Sequence, residues 1–93
     1  MSYYLPLPES LSAQGWKVKI RDKERVEPPH VSLIKKNETW RWGLRTRKFL
    51  DKKPPGRLVP KKLITILLEN IEILEKNWDQ MYPENPVNSG GKI

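Results

Sequence analysis

The chain has 93 residues, with 18 Lys or Arg against 11 Asp or Glu, a formal charge of +7 and no cysteine. That length allows one domain, whose folding buries about 60–65% of the unfolded surface, and the lack of thiols excludes disulfides and thiolate metal sites. The charge is segregated: residues 16–62 hold 16 Lys/Arg and 5 Asp/Glu, a net of +11, whereas residues 63–93 hold 2 and 5, a net of −3.

The first residues, to Pro8, are proline-rich and expected to be extended. Their start, MSYYLPLPES, has neither a basic region nor an apolar run, so no signal peptide is expected. Glu9 to Gln14 predicts one or two helical turns with Gly15 as the cap. Trp16 to Arg21 alternates strictly, with Trp16, Val18 and Ile20 on one face and Lys17, Lys19 and Arg21 on the other. That is the period of a half-buried strand. Asp22-Lys23-Glu24 predicts a turn. Pro28-Pro29 cannot sit inside a central ladder, because proline has no N–H to donate, and so marks an extended lead-in. Val31 to Lys35 predicts the second strand, with Val31 and Leu33 inward and His30, Ser32 and Ile34 outward. After a turn at Lys36-Asn37-Glu38, Thr39 to Thr46 predicts the third, with Trp40, Trp42 and Leu44 inward.

Phe49 to Val59 predicts a loop around Lys52-Lys53-Pro54-Pro55-Gly56-Arg57. Pro60 suits the first position of a helix, where its missing N–H costs nothing. One helix is expected over Lys61–Met81. Its stripe is Leu63, Leu67, Ile71, Leu74, Trp78 and Met81, widened by Ile64, Ile66, Leu68 and Ile73. Glu69, Glu72, Glu75 and Lys76 interrupt this stretch, so it is not a membrane span. Glu72 and Lys76 are spaced for an i,i+4 pair, and Pro83 stops the helix. The expected organisation is an extended segment over residues 1–8, one α+β domain over 9–83, and a flexible polar tail over 84–93. The domain is a three-stranded antiparallel meander packed on the long C-terminal helix.

On that register the outer sheet face gathers Lys17, Lys19, Arg21, His30, Ser32, Arg41 and Arg45, and a one-residue slip would reverse it. With Arg47, Lys48, Lys52, Lys53 and Arg57 of the loop, these cations form the expected nucleic-acid-binding surface. His30, the one histidine, is the candidate acid/base, with Lys19, Arg41 and Arg45 holding phosphate. A core role for Trp16, Trp40, Trp42 and Trp78 outweighs base stacking, because their spacing follows strand and helix periods. One histidine, no cysteine and scattered carboxylates build no usual transition-metal site, and no cofactor is expected. Ser32 and His30 occupy alternate strand positions, about 7 Å apart, with no third partner for nucleophilic catalysis.

At Glu27-Pro28-Pro29-His30-Val31 the chain resembles a bacterial domain family of unsettled activity, whose signature is roughly E-x-x-P-P-H-V-H-V. The order EPPHVSLIKK, TWRWGL and PKKLITILLENIEILEKNWDQMYP follows that family over residues 16–82. Ser32 stands where the family has a second histidine, which puts any two-histidine mechanism in doubt. The resemblance implies a toxin-like or partner-regulated protein of toxin–antitoxin type. A fainter architectural likeness, through Gly15-Trp16 and His30, is to HicA-type mRNA interferase toxins, whose Gly-Ser-His is absent.

Besides a structural or regulatory subunit whose exposed helix surface seeks a partner, two readings stay open. One is a metal-independent ribonuclease of toxin type that contacts RNA and is regulated by an acidic antitoxin-like protein. The other is a non-enzymatic module that binds an acidic protein or a nucleic acid. Ten apolar residues on one helix are expected to exceed what three strands cover, so a homodimer or heterodimer is expected. The absence of cysteine fits a cytoplasmic location.

Overall fold

The computed structural model of the chain describes residues 2–21 and 27–87. The turn expected at Asp22-Lys23-Glu24 lies outside the described residues. The fold is α+β, in the order β1 (Tyr3–Tyr4), α1 (Glu9–Ser12), β2 (Lys17–Ile20), β3 (His30–Lys35), β4 (Glu38–Gly43), α2 (Lys61–Glu69) and α3 (Ile71–Met81), with a single 3-10 turn at Gly56–Leu58 before α2.

The sheet has four strands rather than three, in the order β1-β2-β3-β4 with every pair antiparallel. The added strand comes from the N-terminal segment, where Tyr3 lies opposite Ile20 and Tyr4 opposite Lys19. The Leu5 N–H continues the pairing to the Val18 carbonyl at 2.9 Å. Pro6 and Pro8 keep this strand short, because neither can donate to a ladder.

Gly15 caps α1 as expected, in a left-handed conformation with φ +94°. The Gly15 N–H bonds the Ser12 carbonyl, and the Trp16 N–H bonds that of Leu11. This paired 5→2 and 6→1 pattern is a Schellman motif, and it feeds the chain directly into β2.

β4 ends at Gly43, three residues before its expected end. Residues 44–47 turn, and the chain returns alongside its own strand. The Gly43 N–H donates to Lys48 O at 2.8 Å and the Leu50 N–H to Arg41 O at 2.9 Å, with a bridge between Trp42 and Phe49. This return covers part of the outer edge of β4, which would otherwise offer unpaired backbone groups. A Cβ at Gly43 would lie 2.8 Å from Thr46 Oγ1 and 3.1 Å from Leu50 Cδ2, so the close return favours glycine there.

The expected single helix is two, joined at Asn70, whose backbone sits at φ −111°, ψ 19°. The Asn70 side chain donates to the Ile66 carbonyl at 2.8 Å, competing with the backbone for the i−4 acceptor. The apolar period runs through the break, so both helices face the sheet.

The inner sheet face and the helices form the core. All eight inward strand residues expected from alternation are buried: Trp16, Val18, Ile20, Val31, Leu33, Trp40, Trp42 and Leu44. From the helices Leu63, Leu67, Leu74 and Trp78 are buried, with Ile64, Ile66, Ile71 and Met81 packed at the margin. Leu68 and Ile73 do not widen the stripe as expected; both are exposed.

The segment after α3, where the flexible tail is expected to begin, is bonded to the body of the domain. Val87 is buried, and its N–H donates to Asp79 Oδ1 at 2.8 Å. Trp78 Nε1 donates to Asn85 O at 2.7 Å, Asn85 Nδ2 donates to Glu27 O at 2.8 Å, and the Tyr82 hydroxyl donates to the Arg21 carbonyl. Residues 82–87 therefore form a strap across one end of the core. The remainder of the expected tail, residues 88–93, lies outside the described residues. No helix among the described residues is long and apolar enough to cross a membrane.

Candidate nucleic-acid interface

The strand register arranges the outer face of the sheet in rows. Tyr4, Lys19, Ser32 and Arg41 form one row across all four strands, and Lys17, Ile34 and Thr39 form the next. Successive residues of a strand alternate between faces, so these side chains oppose the buried row of Val18, Leu33 and Trp40. The pleat thus brings Lys17 and Lys19 together beside the exposed Tyr4, as far as β2 and β1 are concerned.

His30 and Ser32 do not lie on an open face as expected. Ser32 is buried, flanked in its row by the longer Lys19 and Arg41 side chains. His30 is 0% exposed. It stands opposite Gly43, which has no side chain to hold it outward, and its ring packs 5.7 Å from that of Trp78. Nδ1 lies 2.8 Å from Pro28 O. A carbonyl only accepts, so Nδ1 carries the hydrogen. Nε2 lies 3.8 Å from Glu27 Oε1. The candidate acid/base is therefore a packed residue that closes the entrance to β3, with no solvent-facing atom to meet a substrate.

Two expected phosphate ligands are engaged within the protein. Arg41 holds Asp51 in a two-point contact, Nε to Oδ2 at 2.7 Å and Nη2 to Oδ1 at 2.6 Å, and holds Glu27 through Nη1 at 2.8 Å. Planar guanidinium suits this paired geometry. The hydrogen bonds to Asp51 hold the guanidinium pKa above its usual value, against some loss from desolvation, and Glu27 adds to the effect. Conversely, the Arg41 hydrogen bonds hold the Asp51 carboxyl below its ordinary range. Arg45 clasps the strap, with Nε to Val87 O and Nη2 to Pro86 O, both at 2.7 Å. Arg47 Nη2 is 4.0 Å from Glu75 Oε2.

The Arg41–Asp51 contact makes a pH-dependent contribution. Asp51 has a depressed pKa in the folded state, so its contribution is present above the unfolded carboxylate value, about 4, and is lost as the pH falls through the folded value. Arg41 stays protonated throughout this range. Urea titrations of Asp51→Asn and the parent between pH 7 and pH 2 are expected to converge at the acid end, with the variant less stable only at the neutral end.

The remaining candidates are free of such contacts. Lys17, Lys48, Lys52, Lys53 and Arg57 are exposed, and none of them, nor Lys19, forms an ion pair among the described residues. Lys48, Lys52, Lys53 and Arg57 lie on the return and loop beyond β4, while Lys17 and Lys19 lie on β2. Arg21 is half-buried just past β2, with its Nε enclosed and unbonded. Among the described residues no group of three or more His, Cys, Asp or Glu side chains is placed to hold a metal ion.

Three participants were not singled out from the sequence. Asp51 is the one acidic residue among the cations of residues 44–58, which is the signal that could have marked it as their counter-ion. Glu27 was read as part of a motif and not as an ion partner. Tyr4 lay in a segment read only as proline-rich and extended. No protein-family model, no curated protein and no solved structure matches the chain, so the likeness at Glu27–Val31 carries no family assignment here.

Proposed function

We propose that the chain is a non-enzymatic RNA-contacting module that binds through the outer face of its sheet, with the cation-rich loop as an extension. The observation that carries this reading is the uncompensated pair Lys17 and Lys19 on the open side of β2, without an acidic partner among the described residues. Lysine ammonium groups on a sheet surface are suited to phosphate oxygens, and the counterions they displace make such binding steeply salt-dependent. The side chains of Lys48, Lys52, Lys53 and Arg57 add exposed charge beyond β4 and form no ion pair among the described residues. The enclosure of His30 favours binding without turnover, because general acid/base chemistry requires hydrogen-bond reach to the reacting group.

The test is a titration of labelled RNA at two salt concentrations, read by fluorescence anisotropy. Lys17→Glu combined with Lys19→Glu is expected to weaken binding at least 10-fold. It should also lower the salt slope by about 1.4, the value for two lost phosphate contacts on a single strand. An unchanged slope would remove the outer face from the interface. An acidic antitoxin-like protein is the alternative occupant, represented in the same titration by a polyglutamate competitor. Displacement of RNA only at charge-equivalent excess supports the RNA reading, whereas displacement at trace concentration would overturn it.

A further inference from the structure

Tyr4 is 55% exposed, more than any other large apolar or aromatic side chain described. Its neighbours along the chain turn inward: Tyr3 packs against the core and Leu5 is buried within it. The core therefore places no demand on the ring at position 4. Lys19 Nζ lies 3.2 Å from the Tyr4 hydroxyl and 5.1 Å from the ring centroid. Taken together, those distances set the ammonium beyond the hydroxyl end and not over the ring. The contact places a positive charge at the ring's rim, and the side chain remains more than half exposed. Lys17 follows on the same strand face, about 7 Å from Lys19.

We infer that Tyr4 is a stacking platform for one base of an unpaired strand, with Lys19 and Lys17 taking the flanking phosphates. This inference rests on the RNA-contacting reading and deepens it by specifying the ligand as single-stranded. The bases of a duplex are stacked on one another and present only their edges, so a ring on a sheet surface cannot reach a base face there. In a single strand every base offers a face, and stacking on an aromatic side chain accepts any sequence. Tyr4 stands directly across the ladder from Lys19, so an unpaired strand laid along β2 would pass Lys19 and Lys17 in succession with the ring beside its path.

The experiment measures anisotropy of a labelled ten-nucleotide uridine-rich RNA, alone and annealed to its complement. The proteins are the full chain, Tyr4→Phe, Tyr4→Leu, and the Lys17→Glu, Lys19→Glu pair. The parent is expected to prefer the single strand. Tyr4→Phe should stay within about twofold of the parent, because the ring is retained. Tyr4→Leu should lose about 10- to 100-fold for the single strand, with little change for the duplex and an unaltered salt slope. Thermal melts confirm that the variants fold, which the exposed position of the ring favours. Parent-like affinity in Tyr4→Leu, alongside a loss in the lysine pair, overturns the stacking platform and leaves the RNA-contacting reading intact. Equal binding of single strand and duplex by the parent also overturns it. Failure of the parent to bind either form overturns both readings.

Discussion

Trp78→Ala is expected to cost about 3–5 kcal/mol of folding stability, the usual range for a fully buried large aromatic. That is a large share of the 5–15 kcal/mol that holds a typical domain. Trp78 is fully buried on α3 and serves three neighbours at once. Its ring packs 4.3 Å from Tyr82 and 5.7 Å from His30, and its Nε1 donates to the Asn85 carbonyl at 2.7 Å. Truncation leaves a cavity beneath the strap and a carbonyl without its donor, so the strap should loosen together with the core. Trp78→Phe keeps most of the packing and loses the hydrogen bond, for an expected cost of about 1–2 kcal/mol. Urea unfolding followed by circular dichroism measures both. Near-parental stability in Trp78→Ala would show that the strap end of the core contributes little.

His30→Gln is expected to lower stability by about 2–3 kcal/mol while leaving RNA affinity of the folded protein unchanged. The ring fills an enclosed site against Trp78 and donates from Nδ1 to Pro28 O. Glutamine is flexible and lacks the flat ring, so it loses the packing and cannot hold the same hydrogen bond without strain. The cost combines a packing defect with a weakened buried hydrogen bond. Measured by thermal melting, it corresponds to roughly 8–24 °C for a domain of this size. Binding is compared at low temperature, where both proteins are folded. A variant that melts like the parent but has lost an RNA-dependent activity would return His30 to a chemical role.

These two residues show which features local sequence can convey. The alternation of Trp16, Val18 and Ile20 with Lys17 and Lys19 needs only neighbours on one strand, and it identified the inner face correctly. The same holds for Trp40 and Trp42 on β4 and for Leu63, Leu67, Leu74 and Trp78 on the helices. His30 obeys the alternation, yet its burial depends on Trp78, 48 positions away, and on the missing side chain of Gly43 across the ladder. The pairing of Arg41 with Asp51 and Glu27 is likewise a matter of the loop returning along β4, which no periodicity encodes. At Asn70 the apolar stripe runs on without interruption, so the pattern predicts one helix. The break is a backbone departure at Asn70, φ −111° and ψ 19°, that leaves the apolar period intact. Of the candidate site, the charge segregation and the shared strand face of Lys17 and Lys19 were visible. The division between cations engaged by the fold and cations left open was not.

The strap bears on the order in which the chain can fold as it is made. Asn85 bonds Glu27, Tyr82 bonds Arg21 and Arg45 bonds Val87, ties that span 58, 61 and 42 positions. The sheet strands and the cation-rich loop leave the ribosome first, carrying most of the positive charge and lacking the helices that cover their apolar side. During that interval α2, α3 and the strap are not yet available to close over the sheet. Closure of the core must wait for residues 82–87, so this domain completes its fold only once its strap has been made and not progressively along the chain.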